Sequence, residues 1–248
     1  MLMTDSGPKT AMLLAAGLGK RMGPLTIKTP KPLITIGGYA LIDYAIDHSV
    51  NVGVDKIVIN IHHLGSQIVQ HVRNRKNLKI IFSDETKELL ETGGGIVKAL
   101  SHLGNSPFFV INGDVLWVDG PKASLDRLAQ FWNDEIMDGL LLLHSTVESY
   151  GYEGFGDFLI DPNGILTRRP ELLVSPYVYT GIQLLHPRLF EDVPNGPFSL
   201  NQLYSSSMEK GRLYGIIHDG DWFHVGTPIG LNQAEAFFQE RFPGLRHR

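Results

Sequence analysis

Cysteine is absent from the 248-residue chain. Its absence excludes disulfides, thiolate-bound zinc and cysteine nucleophiles, and it suits a reducing compartment. Strong charge of one sign is also missing. With 22 Lys and Arg against 26 Asp and Glu, the formal net charge is −4, so no global basic field draws nucleic acid and no like-charge run forms a binding tail. No apolar run approaches a membrane span, and the first ten residues, MLMTDSGPKT, carry neither the basic start nor the apolar stretch of a secretory leader. These absences describe a soluble, cytoplasmic protein with no membrane or nucleic-acid partner and no evident protein partner.

What is present is enough apolar material, 43% of the residues, to bury a full core in a single domain over 1–248. Short apolar runs alternate with amphipathic ones. Strand patterns at 11–16, 56–61, 79–84, 107–113 and 139–145 are separated by helical patterns at 40–52, 64–73, 94–103 and 121–135. That alternation predicts a doubly wound α/β fold with a mostly parallel sheet, whose ligands sit beyond the carboxyl ends of the strands. After about residue 150 hairpin signals take over. Pro162-Asn163-Gly164 separates two short strands and YVYTGIQLLH follows, so antiparallel additions are expected. Helices at 200–210 and 228–240 flank a strand at 212–219.

The stretch LLAAGLGKRMGPLTIKTPKPL, Leu13 to Leu33, raises the question of phosphate binding. Gly17 and Gly19 follow a strand pattern directly, which allows a sharp turn and a close backbone approach to an anion; taken alone, the loop reads equally as a plain turn. A Walker loop is excluded because Arg21 follows Lys20, and a dinucleotide fingerprint places Gly23 one position too late. Prolines on both sides restrict Lys31, which pairs with Arg21 as a candidate cationic clamp for a triphosphate. Asp114 closes the strand in INGDV, where a carboxylate could bridge an oxygen-loving cation to phosphates or simply make a turn. Glu91-Thr92-Gly93-Gly94-Gly95 precedes a helical pattern, as a cap and as bare backbone against which a planar base could lie.

The order Gly-x-Gly-x-Arg-Met, Pro-Leu-Thr, Pro-Lys-Pro within this stretch resembles the signature of the sugar-1-phosphate nucleotidyltransferases. The resemblance continues through LETGGGIVKAL (90–100), INGDV (111–115), GDF (156–158), YTGIQLLHP (179–187) and WFHVGTP (222–228). Among the branches it is most like the short bacterial N-acetylmuramate-1-phosphate uridylyltransferases, which share the Leu-Glu-Thr-Gly-Gly-Gly-Ile stretch.

The resemblance implies a nucleoside triphosphate and a sugar 1-phosphate as partners and no covalent protein nucleophile. It implies a nucleotide-binding half at 11–115, contacted by Ala15, Gly17, Gly19, Lys20, Arg21, Lys31, Glu91, Gly93 and Gly94. A sugar-binding half at 116–240 would share the cleft with Asn112 and supply Asp157 and Thr180. Arg21, Lys31 and Asp114 would be the catalytic groups, with Asp114 holding Mg²⁺. Relatives carry a second carboxylate where WFHVGTP has His224, and a neutral nitrogen there suits Mn²⁺ better than Mg²⁺. Relatives acting on glucose 1-phosphate carry Glu-Lys-Pro where this chain has Arg168-Arg169-Pro170. Mannose-1-phosphate guanylyl transfer, and a sensor that binds nucleotide without turnover, remain as alternative expectations.

Overall fold

The structure is a computed structural model that describes residues 7–242; the first six residues of the opening stretch, and the two ends of the 1–248 domain, lie outside the described residues. The first half runs β1 (Thr10–Leu14), α1 (Leu25–Lys28), the ribbon β2 (Thr35–Ile36) and β3 (Tyr39–Ala40), α2 (Leu41–Asn51), β4 (Lys56–Ile61), α3 (Gly65–Val72), β5 (Lys79–Asp84), α4 (Glu91–Leu103) and β6 (Phe108–Asn112). The second half runs β7 (Leu116–Val118), α5 (Ser124–Phe131), β8 (Gly139–Ser145), β9 (Phe158–Ile160), β10 (Leu166–Arg168), β11 (Tyr177–Leu185), α6 (Leu200–Glu209), β12 (Leu213–Ile217), β13 (Asp221–Phe223) and α7 (Pro228–Arg241).

Nine strands form one sheet, ordered β10-β9-β11-β6-β1-β4-β5, with β8 and then β12 continuing from β11. β6, β1, β4 and β5 are mutually parallel, β12 is parallel to β8, and β11 runs against β6, β8 and β9. The apolar runs become strands because helices cover both faces. Leu13, Ile57, Ile59 and Ile111 face Ala45, Ile46 and Ile68, while the alternate residues Met12, Val58 and Val110 face Ile96, Ala99 and Leu203. This period-2 division is that of a sheet buried on both sides.

Three local expectations differ. The first strand stops at Leu14, so Ala15 and Ala16 belong to the loop. α5 ends at Phe131, because the Asn133 Oδ1 accepts the Glu135 amide at 3.1 Å and turns the chain. α4 begins at Glu91, three residues earlier than the glycine run suggested. A two-stranded sheet of β7 and β13 was not foreseen, and it positions the site.

Candidate active site

β1 and β6 lie side by side with Leu14 opposite Asn112, so the loops leaving their carboxyl ends share one edge. The Ala15 amide donates to Asn60 Oδ1 at 2.7 Å, Asn60 Nδ2 donates to Glu85 Oε1 at 2.7 Å, and the Leu90 amide donates to Glu85 Oε2 at 3.1 Å. Asn60 and Glu85 are buried, so this relay fixes the β1 loop relative to the start of α4. Gly19 sits at φ 63°, and a Cβ there would lie 2.8 Å from the Thr26 methyl and 3.2 Å from the Lys31 Cβ. Only glycine lets the loop fold back under these two residues.

Pro30 and Pro32 frame a single 3-10 turn that points Lys31 inward. Its ammonium meets Asp114 Oδ2 at 2.5 Å, with the side chain only 9% exposed. The lysine's salt-bridge partner is therefore a carboxylate. Arg21, the other half of the clamp expected from the sequence, is exposed and makes no ion pair or hydrogen bond among the described residues. Both cations line a cavity of about 470 Å³ together with Ala15, Gly17, Gly19, Lys20, Glu91, Asn112 and Asp114. Gly17 faces open space, since a Cβ there would meet nothing within 4 Å.

The glycines of α4 have a different place. Gly93 and Gly94 are buried and do not line this cavity. A Cβ on Gly93 would run into the Phe198 ring, and one on Gly94 would sit 2.5 Å from the Gly196 carbonyl oxygen. Their bare faces are filled by the 196–198 segment, which corrects the expectation that they lie open to a base. Thr92 likewise caps a neighbour: its Oγ1 accepts the Leu200 amide at 2.9 Å. Glu91 does reach the cavity, in a left-handed backbone at φ 59°, uncommon for a residue with a long side chain.

A second cavity of about 200 Å³ adjoins the first and shares Arg21, Lys31, Asn112, Asp114 and Gly226 with it. Asp157, Thr180 and His224 line this second space. β7 pairs with β13 through Leu116 and Phe223, and the chain just beyond that pair brings Asp114 and His224 to the same wall. Asp157 Oδ2 accepts the Tyr179 amide at 2.9 Å. The Thr180 hydroxyl donates to the Leu142 carbonyl at 2.8 Å and accepts the Ile182 amide at 3.3 Å, so its donor is already engaged inside the β11 bulge. The His224 ring covers Gly226 and lies 6.0 Å from Trp222 and 5.9 Å from Tyr152. Burial first, and then the positive charges of Arg21 and Lys31, lower its pKa, leaving a neutral imidazole with a nitrogen able to donate to a cation.

Some neighbours were not legible from the motifs. Asn60 and Glu85 hold the cavity floor, and Tyr152 lines the second cavity; the only signal for Asn60 was a polar residue within the apolar run KIVINI. Arg169 sits at the departure from Glu-Lys-Pro, and its guanidinium donates to the carbonyls of Gly156, Pro170, Glu171 and Leu173. It knits a loop together. Trp117 and Trp222 are buried, and Trp222 also lines the second cavity.

A parallel sheet edge carrying a glycine loop, a buried lysine and an adjoining carboxylate is suited to a phosphate-bearing ligand. Residues 10–241 match the Nucleotidyl transferase family, and the chain belongs to it. It is 41% identical over 240 residues, 95% of this chain and 99% of the other, to the N-acetylmuramate alpha-1-phosphate uridylyltransferase of Caulobacter vibrioides. A protein of the same name from Neisseria meningitidis is 35% identical, covering 91% of this chain and 96% of the other. The solved structure of HddC from Yersinia pseudotuberculosis, complexed with GMP-PN, superposes with a TM-score of 0.74 at 22% identity over 93% of this chain and 99% of that one, a likeness of fold alone. Enzymes of this family generally work with a divalent metal. Among the described residues no helix is long and apolar enough to cross a membrane.

Proposed function

We propose that the protein transfers a uridylyl group from UTP to N-acetylmuramate α-1-phosphate and releases pyrophosphate. The observation that carries a transfer reaction is the Lys31–Asp114 pair at the seam of two cavities that share both residues; a nucleotide in one and a sugar phosphate in the other would meet there. Similarity to the two uridylyltransferases over nearly the whole chain supports the choice of base and sugar. The loop of the first half and Glu91 would hold the nucleotide, and Asn112 and Asp157 of the adjoining wall would meet sugar hydroxyls or the N-acetyl group. A nucleoside triphosphate substrate supports a cytoplasmic reaction.

An oxygen of the sugar phosphate forms a bond to the α-phosphorus of UTP, and the bond from that phosphorus to the bridging oxygen of pyrophosphate breaks. No proton has to move through a side chain. Lys31, held by its prolines, would neutralise charge developing at the α-phosphate, and the unpaired Arg21 would bind the β- and γ-phosphates. The donor set fits a divalent cation in part: Asp114 has an oxygen beyond the one paired to Lys31, and His224 offers a neutral nitrogen beside it. No group of three such ligands exists among the described residues, so phosphate oxygens and water would complete the shell. A bound Mg²⁺ or Mn²⁺ would supply charge neutralisation on the triphosphate, with the nitrogen favouring Mn²⁺.

The test is pyrophosphate release with UTP or GTP against N-acetylmuramate 1-phosphate and mannose 1-phosphate, with the products identified by mass spectrometry. UDP-N-acetylmuramate should dominate. GDP-mannose as the main product overturns the reading in favour of the guanylyl alternative, and nucleotide binding without turnover of any pair overturns it in favour of a sensor.

A further inference from the structure

The small cavity opens sideways. Arg21, Tyr152 and His224 line both it and a third space of about 970 Å³ that plays no part in the transfer described above. That third space is preformed. Its wall residue Tyr150 stacks on Phe223 with centroids 4.7 Å apart and meets Phe237 at 5.3 Å, so the wall is continuous with the core. Gly151 at φ 72° lies so close to α7 that a Cβ on it would sit 2.7 Å from Gly230, and the Tyr152 hydroxyl accepts the Gly156 amide at 3.1 Å. The opposite wall is one stripe of α7, Gln233, Ala236, Phe237 and Glu240, at helical spacing.

The charges of this space discriminate between occupants. Glu153 and Glu240 line it, and its one lining cation, Arg21, stands at the mouth shared with the catalytic cleft. A free carboxylate projecting inward would meet like charge, whereas an amide-linked chain would find aromatic rings and the Gln233 side chain. N-acetylmuramate carries a lactyl ether whose carboxylate becomes neutral when joined to an amine. The small cavity of about 200 Å³ has room for a sugar ring, with Tyr152 and His224 on its open side, so a long substituent has the large cavity next to it.

We propose that this third cavity takes the substituent of the acceptor sugar, so that the enzyme also uridylylates 1-phosphates of N-acetylmuramate whose lactyl carboxylate is in amide linkage to an amino acid or short peptide with its own carboxyl end blocked as an amide. The inference rests on the uridylyl-transfer reading above. The bonds made and broken are unchanged, because the extension lies away from the phosphate.

The experiment measures kcat/KM for N-acetylmuramate 1-phosphate and for its L-alanine methylamide, in the parent and in Ala236→Trp. Ala236 is exposed on the cavity side of α7, and the indole would fill the space. The parent should use the two acceptors within about tenfold of each other, and Ala236→Trp should lower the amide alone by about a hundredfold, the scale of excluding a group from a shaped pocket. Gln233→Trp, one turn away, gives the same reading if the first variant does not fold. Turnover of the simple acceptor without the amide, or an unchanged ratio in both variants, overturns this inference and leaves the proposed function standing. Turnover of neither compound by the parent overturns the proposed function and this inference with it.

Discussion

Gly94→Ala separates two reasons for the glycine run of LETGGGI. A Cβ at this position would lie 2.5 Å from the Gly196 carbonyl oxygen, and ordinary contact is nearly an ångström longer. That oxygen belongs to backbone and cannot rotate away, so α4 or the 196–198 segment has to shift. Overpacking of this kind costs about 1–3 kcal/mol; a backbone obstacle puts it near the upper end. Replacing glycine inside a helix returns about 1 kcal/mol, so the net loss is about 2 kcal/mol, or roughly 4–8 °C in Tm for a chain of this length. Thermal unfolding followed by circular dichroism gives that number, and KM for UTP measured well below the transition gives its counterpart. A Tm equal to or above the parent's, with a large rise in KM, would refute the reasoning and return Gly94 to the base-binding role first expected from the sequence.

Lys31→Ala and Arg21→Ala should each lower kcat/KM for uridylyl transfer by about a hundredfold or more, the scale of removing one charge-stabilising group from a preorganised site; initial rates of pyrophosphate release over a series of UTP concentrations measure it, and near-parental values would undo the clamp. His224→Asp should reduce the Mn²⁺-over-Mg²⁺ activity ratio by exchanging a nitrogen for anionic oxygen, and an unchanged ratio would make His224 a packing residue only. Stability should fall in two steps on acidification. Burial lowers the pKa of His218, as it does those of His186 and His224, so below about pH 6.5 the unfolded chain takes up protons that the folded one does not. Burial works against the charge of Asp119, but hydrogen bonds from His48 and Ser124 outweigh it and hold the carboxyl well below its usual range, which adds a loss that begins as the pH falls below about 4. Denaturant melts across this range should show His218→Asn making the first step shallower, with the share of His186 and His224 remaining, and leaving the second step in place.

Much of the fold was legible because it rests on local periodicity. Apolar runs buried on two faces read as parallel strands, and 139–145 and the core of 56–61 appear as expected. The motif residues around Lys31 and Asp114 were legible because proline and strand-end positions constrain them locally. Their pairing was not, since an 83-residue separation joins them only through the sheet. The same holds for β7 and β13, short strands too brief for a periodic signal, and for Phe198, whose ring explains Gly93 from a distant part of the chain. Asn60 and Glu85 were hidden for another reason. A buried polar relay shows in sequence only as isolated polar residues among apolar ones, and nothing local says which partner each has.

The Lys31–Asp114 pair also explains how the cleft can hold a nearly buried ammonium before its ligands arrive. An ammonium 9% exposed with no partner would be strongly disfavoured by desolvation, and so would a carboxylate facing an oncoming triphosphate. Paired at 2.5 Å they satisfy one another. On the proposed function, phosphate oxygens offer Lys31 a replacement partner as they enter, and the carboxylate so released is the one able to hold a cation. The buried ammonium and the partly exposed carboxylate would then each keep a partner at every stage, and the net change on binding would be an exchange of partners. Arg21 lacks that arrangement and has no need of it, because it is exposed: water stabilises it until phosphates replace the water. On the proposed function the two cations would serve different stages, Arg21 as the first to meet the triphosphate and Lys31 as the one whose release from Asp114 completes the site.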